Sequence, residues 1–142
     1  MRQLMKFSSL LGLIGVMIFA LMPPPARAAE LVMFQQAGCP WCARFDRDIA
    51  PIYKKTEEGR RAPLRRVDID KPLPPDLAFV QVERLTPLFV LVDKGREIGR
   101  IRGYPGEESF WMQLAVLFQK LDAAGTGEKR AGHSEKPMRS TC

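Results

Sequence analysis

The chain has 142 residues, 46% of them hydrophobic and 27% charged, with 22 basic against 16 acidic residues and a net charge of +6. Arg2, Lys6 and Arg27 stand in the first 28 residues without an acid among them, which leaves +3 for the remainder, and a tail from Gly125 with four bases and two acids leaves +1 for residues 29–124. A basic excess confined to the two ends argues against nucleic acid as a partner, since that needs charge clustered on a folded surface, and a remainder of about 100 residues supports one hydrophobic core and not two.

Arg2 and Lys6 precede the apolar run LLGLIGVMIFALM, Leu10 to Met22, and Ala26 and Ala28 of PPPARA take the small-residue positions that signal peptidase reads. Residues 1–28 are expected to be a cleaved secretory signal, which places the mature chain in the periplasm. The run is shorter than the roughly 20 apolar residues of a spanning helix. No stable membrane insertion is expected after cleavage, and no cysteine follows the run to carry a lipid.

Beyond the signal, strand-like and helix-like runs alternate, the pattern of a single α/β domain over 29–124. ELVMFQ, Glu30 to Gln35, reads as a short buried strand. Cys42, Phe45, Ile49, Ile52 and Tyr53 then recur at helical spacing, with Pro51 expected to break the helix near Ala50. PLRRVDI, Pro63 to Ile69, reads as a second strand. The proline-rich DKPLPPD after it reads as a loop into a short helix around Leu77 to Val82. PLFVLV and EIGRIRG, separated by Asp93, Lys94, Gly95 and Arg96, form a hairpin pattern. Phe110, Trp111, Leu114, Leu117, Phe118 and Leu121 make the apolar face of a last helix, which Gly125 is expected to stop, leaving 125–142 as a flexible tail. Arg60, Arg61, Arg65 and Arg66 read as a solvated charge run.

The chemistry lies in GCPWC, Gly38 to Cys42, on the turn from the first strand into the first helix. A thiol at a helix N-terminus has unpaired backbone N–H groups and the positive end of the helix dipole to stabilise its thiolate. Cys39 holds that place, and Pro40 suits the first helical position, where its missing N–H is not needed. Cys42 is one turn further in with its sulfur turned inward, so Cys39 is the expected nucleophile and Cys42 the resolving thiol. Three other uses compete. A zinc site needs two more ligands, and only His133 and Cys142 in the tail could supply them. Haem attachment needs histidine where Ala43 stands. A structural disulfide closing so small a loop stabilises little. No metal or cofactor is expected. For Cys142, attack on an oxidised pair, an intermolecular disulfide and no role all stay open.

With these residues in order, the sequence resembles the thioredoxin superfamily from about Glu30 to Ala124: strand, CPWC, helix, strand, short helix, Thr86-Pro87 opening a hairpin, final helix. The resemblance implies a trimmed thioredoxin-like fold, α/β with a central mixed sheet of about four strands flanked by helices. It also implies a cis bond at Pro87 facing the cysteine pair, carbonyls of Thr86 and Pro87 framing a groove, and Gly103 near the active-site surface. Trp41 is a rigid, exposed aromatic suited to anchoring a partner chain. The expected substrate-binding set is thus Pro40, Trp41, Thr86, Pro87 and Gly103 around catalytic Cys39 and Cys42. Two departures stand out. Met33 occupies the position of the buried acid that many thioredoxins carry, and Arg66 falls where those proteins have a lysine, keeping a charge near the pair. The small size and the signal look most like the periplasmic thioredoxins linked to sulfur-oxidation gene clusters.

The function implied is a periplasmic thiol-disulfide oxidoreductase that reduces or isomerises disulfides of exported proteins and takes electrons from a membrane donor. The alternative is a non-catalytic redox-sensing or carrier module for one partner. Broad turnover of unrelated disulfides favours the first, and tight binding in one redox state without turnover favours the second.

Overall fold

The computed structural model describes residues 29–131; the expected signal, His133 and Cys142 lie outside the described residues. Strand β1 (Glu30–Gln35) is paired along both edges, parallel to β2 (Leu64–Asp68) and antiparallel to β3 (Leu88–Asp93). β3 in turn pairs with antiparallel β4 (Arg96–Arg102), so the mixed sheet runs β2-β1-β3-β4. Leu31, Val32, Met33 and Phe34 are all 0% exposed. An unbroken apolar run of this kind suits a strand covered on both faces, where alternation would bury polar groups. Because successive side chains point to opposite faces, Leu31 and Met33 enter one core cluster and Val32 and Phe34 another.

Helices cover the first face: α1 (Pro40–Asp48), α2 (Ala50–Tyr53), α3 (Glu57–Arg61) and α4 (Glu107–Ala131). Phe45 is the hub, with ring centroids 4.7 Å from Phe89, 5.3 Å from Phe110 and 5.7 Å from Tyr104. The helix breaks at Ile49, whose φ is −112°, two residues before Pro51. That break turns Ile52 outward although helical spacing put it on the apolar face, while Tyr53 stays buried and donates to the Ala62 carbonyl at 2.8 Å. Trp111 is part-buried and stacks on Tyr53, with centroids 6.2 Å apart.

Among the described residues no α-helix covers the second face. The helix expected over Leu77 to Val82 is a single 3₁₀ turn, Pro75–Leu77. Pro72, Pro74 and Pro75 restrict φ and withhold donors at its start, and Leu77 and Val80, three residues apart, fill the face with one tight turn. This roof is fastened at both sides by arginines. On β2, Arg65 lies in register with Val32 and donates to Asp76 at 2.6 and 3.2 Å and to Glu30 at 3.3 Å. On β4, Arg100 and Arg102 lie opposite Val90 and Leu88 and hold Glu83.

The arginines of the expected solvated run are therefore tied individually. Arg60 donates to the Lys55 carbonyl, Arg61 pairs with Asp122 and lies over Phe118, and Arg66 pairs with Asp46. Each had a fixed acceptor within reach once the sheet and helices met. The hairpin connection is also tighter than expected. Lys94 and Gly95 take φ of +51° and +75°, the two positive values of a type I′ turn, so Asp93 and Arg96 pair with each other. The last helix continues through Gly125 to Ala131 instead of stopping. Glycine ends a helix by adopting positive φ; Gly125 is not among the positive-φ glycines, and inside a helix it costs only about 1 kcal/mol relative to alanine.

Phe45→Ala is expected to destabilise the domain by about 3–5 kcal/mol, read as a lower midpoint of denaturant unfolding. A loss below about 1 kcal/mol would mean that α1 is not anchored through this ring.

Candidate active site

β1 ends at Gln35, and three residues turn the chain into α1. Gly38 takes φ of +74°, where a side chain would be strained, and the Cys39 N–H donates to the Gln36 carbonyl at 3.4 Å. Cys39 is the N-cap of α1, and its Sγ accepts the Cys42 N–H at 3.1 Å. Pro40 follows as the first helical residue. Cys39 and Cys42 form a disulfide with Cα atoms 5.3 Å apart. Cys39 is half-buried, whereas Cys42 is 5% exposed and packs in the first core cluster. The two sulfurs thus differ in access, and a thiolate on Cys39 sits where the helix end favours negative charge.

Trp41 is 52% exposed, with the Arg44 guanidinium 6.0 Å from its ring, at the outer limit for attraction by the ring face. Arg44 also meets Asp48 at 3.5 Å, and Asp48 accepts the Tyr104 hydroxyl at 3.1 Å. Burial, aided by the bond to Asp48, pushes the Tyr104 hydroxyl up to about 12, so it remains a donor.

Phe34 on β1 pairs with Leu88, which pairs with Arg102. The residues before Leu88 and after Arg102 therefore leave the sheet at the end where β1 runs into the cysteine turn. Thr86 is half-buried there, Pro87 is buried, and the bond between them is cis. Gly103 has φ of +77° with open space around the position of a Cβ, so its backbone conformation is what calls for glycine. Its N–H donates to the Pro87 carbonyl at 2.8 Å. The Pro87 carbonyl, expected to frame a groove with that of Thr86, therefore already accepts one bond within the protein.

Met33 is fully buried in the core cluster that also holds Cys42, and Arg66 lies in register with it on β2. The Arg66 guanidinium contacts Met33 Sδ at 3.6 Å, Gln35 Oε1 at 2.7 Å and Asp46 Oδ1 at 2.6 Å. The Arg66 charge is matched by Asp46, one helical turn beyond Cys42. Among the described residues no carboxylate or cationic side chain is buried, so none of their carboxylates serves the resolving thiol from the core.

One feature escaped the sequence reading. Glu83 accepts from Arg102 at 2.7, 2.8 and 3.0 Å and from Arg100 at 2.7 Å. The Arg102 bonds first and the Arg100 bond second hold its carboxyl at about 2. A depressed carboxylate contributes fully above the ordinary glutamate range and weakens as pH falls toward that value. The signal was GRIRG, which puts Arg100 and Arg102 two apart on one strand face.

No protein-family model matches the chain, and no curated protein matches it. Among solved structures it is similar to the periplasmic thioredoxin SoxS from Paracoccus pantotrophus in its reduced form, with 47% identity, covering 66% of this chain and 98% of that one at a TM-score of 0.61. The chain belongs to the thioredoxin superfamily. It is a thioredoxin of the SoxS-like type, with a mixed four-stranded sheet and a thiol-disulfide redox pair at Cys39 and Cys42. Similarity also reaches a Malassezia sympodialis thioredoxin, with 22% identity over 67% of this chain and 76% of that one at a TM-score of 0.47. A further similar structure is Trxlp from Edwardsiella tarda, with 22% identity over 61% and 82% at 0.49.

In the reduced thioredoxin, one equivalent of iodoacetamide is expected to alkylate Cys39 faster than Cys42 by about tenfold or more, read by peptide mass spectrometry. Equal labelling would contradict the unequal access and charge stabilisation of the two sulfurs.

Proposed function

We propose that this thioredoxin is a periplasmic oxidoreductase that reduces disulfides of exported proteins through Cys39. The observation that carries the reading is the placement of the pair: a half-buried Cys39 capping α1 and a buried Cys42 one turn behind it. Export rests on the signal pattern in residues 1–28, and the similar SoxS protein is itself described as periplasmic.

In the forward reaction the Cys39 thiolate attacks one sulfur of a substrate disulfide, forming a mixed disulfide and releasing the other substrate sulfur as a thiolate. Cys42, deprotonated, then attacks Cys39 Sγ, which closes the Cys39–Cys42 disulfide and frees the second substrate sulfur. Two electrons pass to the substrate and both its sulfurs end as thiols, taking protons from water. Return to the dithiol needs two electrons from a thiol reductant, which in the periplasm implies a membrane protein that carries them across. Trp41 supplies an exposed aromatic for the docked chain. Pro40, Thr86, Pro87 and Gly103 form the backbone surface beside it, in the assignment made from the sequence. The chemistry uses only these sulfurs and calls for no cofactor.

Cys42→Ser is expected to trap exported proteins as mixed disulfides that dissolve in dithiothreitol, while Cys39→Ser traps few. Comparable trapping by both variants would remove Cys39 as nucleophile. Absence of trapping by either would remove the proposed activity.

A further inference from the structure

The stretch from Gln81 to Thr86 forms neither helix nor strand, yet it delivers Thr86 and Pro87 to the redox end of the sheet. Its position is set from β4. Arg100 donates to the Gln81 carbonyl at 3.1 Å as well as to Glu83, and Glu97 fixes that same guanidinium at 2.6 Å. Arg102 grips the Glu83 carboxylate with two nitrogens, the paired geometry that fixes orientation as well as distance. With Glu83 held down, its neighbours face outward: Arg84 is exposed, and Val82 and Leu85 are 38% and 46% exposed, unusually open for apolar side chains.

This stretch also borders the cysteine turn. A cavity of about 410 Å³ is lined by Gln36, Ile69, Asp70, Val82, Glu83 and Arg84. Gln36 is the residue whose carbonyl accepts the Cys39 N–H. A second cavity of about 200 Å³ shares Ile69 and Val82 and has an apolar floor that includes Phe34 and Val80. The clamp therefore fixes one wall of a hollow that opens beside the redox turn.

We propose that Glu83 is a positioning residue for protein substrates: held by Arg100 and Arg102, it fixes Val82, Arg84 and Leu85 as the wall on which an extended, apolar-bearing segment of a disulfide-containing protein lies next to Cys39. The inference rests on the oxidoreductase reading above and adds what selects the substrate. A small disulfide reaches Cys39 without touching this wall. A polypeptide uses it for binding, so loosening the wall weakens docking and leaves sulfur exchange alone.

The test compares two oxidised probes with the intact chain and its variants: insulin, turned over with dithiothreitol as the reductant, and the small aromatic disulfide dithiobis-nitrobenzoate, followed as a single turnover of chain reduced beforehand and freed of dithiothreitol. Glu83→Gln is expected to raise KM for insulin about tenfold with kcat within about twofold, and to leave the rate with the small disulfide within about twofold. Glu83→Asp, which keeps the charge, restores most of the insulin KM. Arg102→Gln reproduces the Glu83→Gln effect; with 58% of its side chain exposed, against 16% for Arg100, Arg102 can be changed with little risk to the fold. An equal fall with both probes, no change with either, or a Glu83→Asp variant no better than Glu83→Gln would overturn the proposal. A wild-type chain that reduces neither probe would overturn the oxidoreductase reading itself, and the inference with it.

Discussion

The burial of β1 on both faces is the constraint from which the rest of the domain follows. Four consecutive apolar residues, Leu31 to Phe34, cannot meet water on either side, so the chain has to supply two covers for one strand. Helices α1 and α4 supply the first through Phe45, Phe110, Leu114 and Leu117. The second is only a loop, with Leu77 and Val80 as its apolar filling. Beyond its one 3₁₀ turn the segment lacks the continuous hydrogen-bond ladder that holds a helix rigid, and the arginines of β2 and β4 supply fixed points in its place. Arg65 holds Asp76 at one margin, and Arg100 with Arg102 hold Glu83 at the other.

The same strand sets the chemistry. Where β1 ends, its flanking strands begin or finish, and the cysteine turn, Thr86-Pro87 and Gly103 come to one end of the sheet. The two sulfurs are made unequal by a single helical turn: one caps the helix, the other enters the core. Met33 adds an apolar side chain to the core cluster that holds Cys42, and the guanidinium groups of Arg66 and Arg44 are matched by Asp46 and Asp48. The helix terminus is then the main source of stabilisation for a thiolate on Cys39, since the intervening Pro40 and Trp41 carry no charge.

Most of the frame could be read from the sequence because it rests on local signals: apolar runs for β1 and β3, mixed strand-like runs for β2 and β4, CPWC at a strand-to-helix turn, helical spacing from Phe110 to Leu121. The misses share a physical cause. Gly125 and the Leu77 to Val82 stretch were judged on propensity, which tertiary packing and neighbouring prolines overrode. Arg60, Arg61 and Arg66 of the charge run are exposed as expected, but the partners of Arg65, Arg61, Arg100 and Arg102, namely Asp76, Asp122 and Glu83, could not be named because they lie far along the chain and come within reach only when the sheet forms. The bond from the Gly103 N–H to the Pro87 carbonyl was unforeseen for the same reason, since that donor arrives from the other side of the hairpin. The spacing of GRIRG shows that two arginines share a strand face, but nothing periodic names the distant acid they will meet.

The reduction potential of the Cys39–Cys42 pair, measured by equilibration with glutathione and acid-trapped thiol counting, tests the proposed direction of electron flow most directly. With no charged residue between the sulfurs and no cationic partner left unmatched at Arg66, the reduced form gains little beyond the helix terminus. The account predicts a potential near that of thioredoxin, about −270 mV. A value close to about −120 mV, that of a strong disulfide donor, would contradict it and reverse the role of the protein from reductant to oxidant.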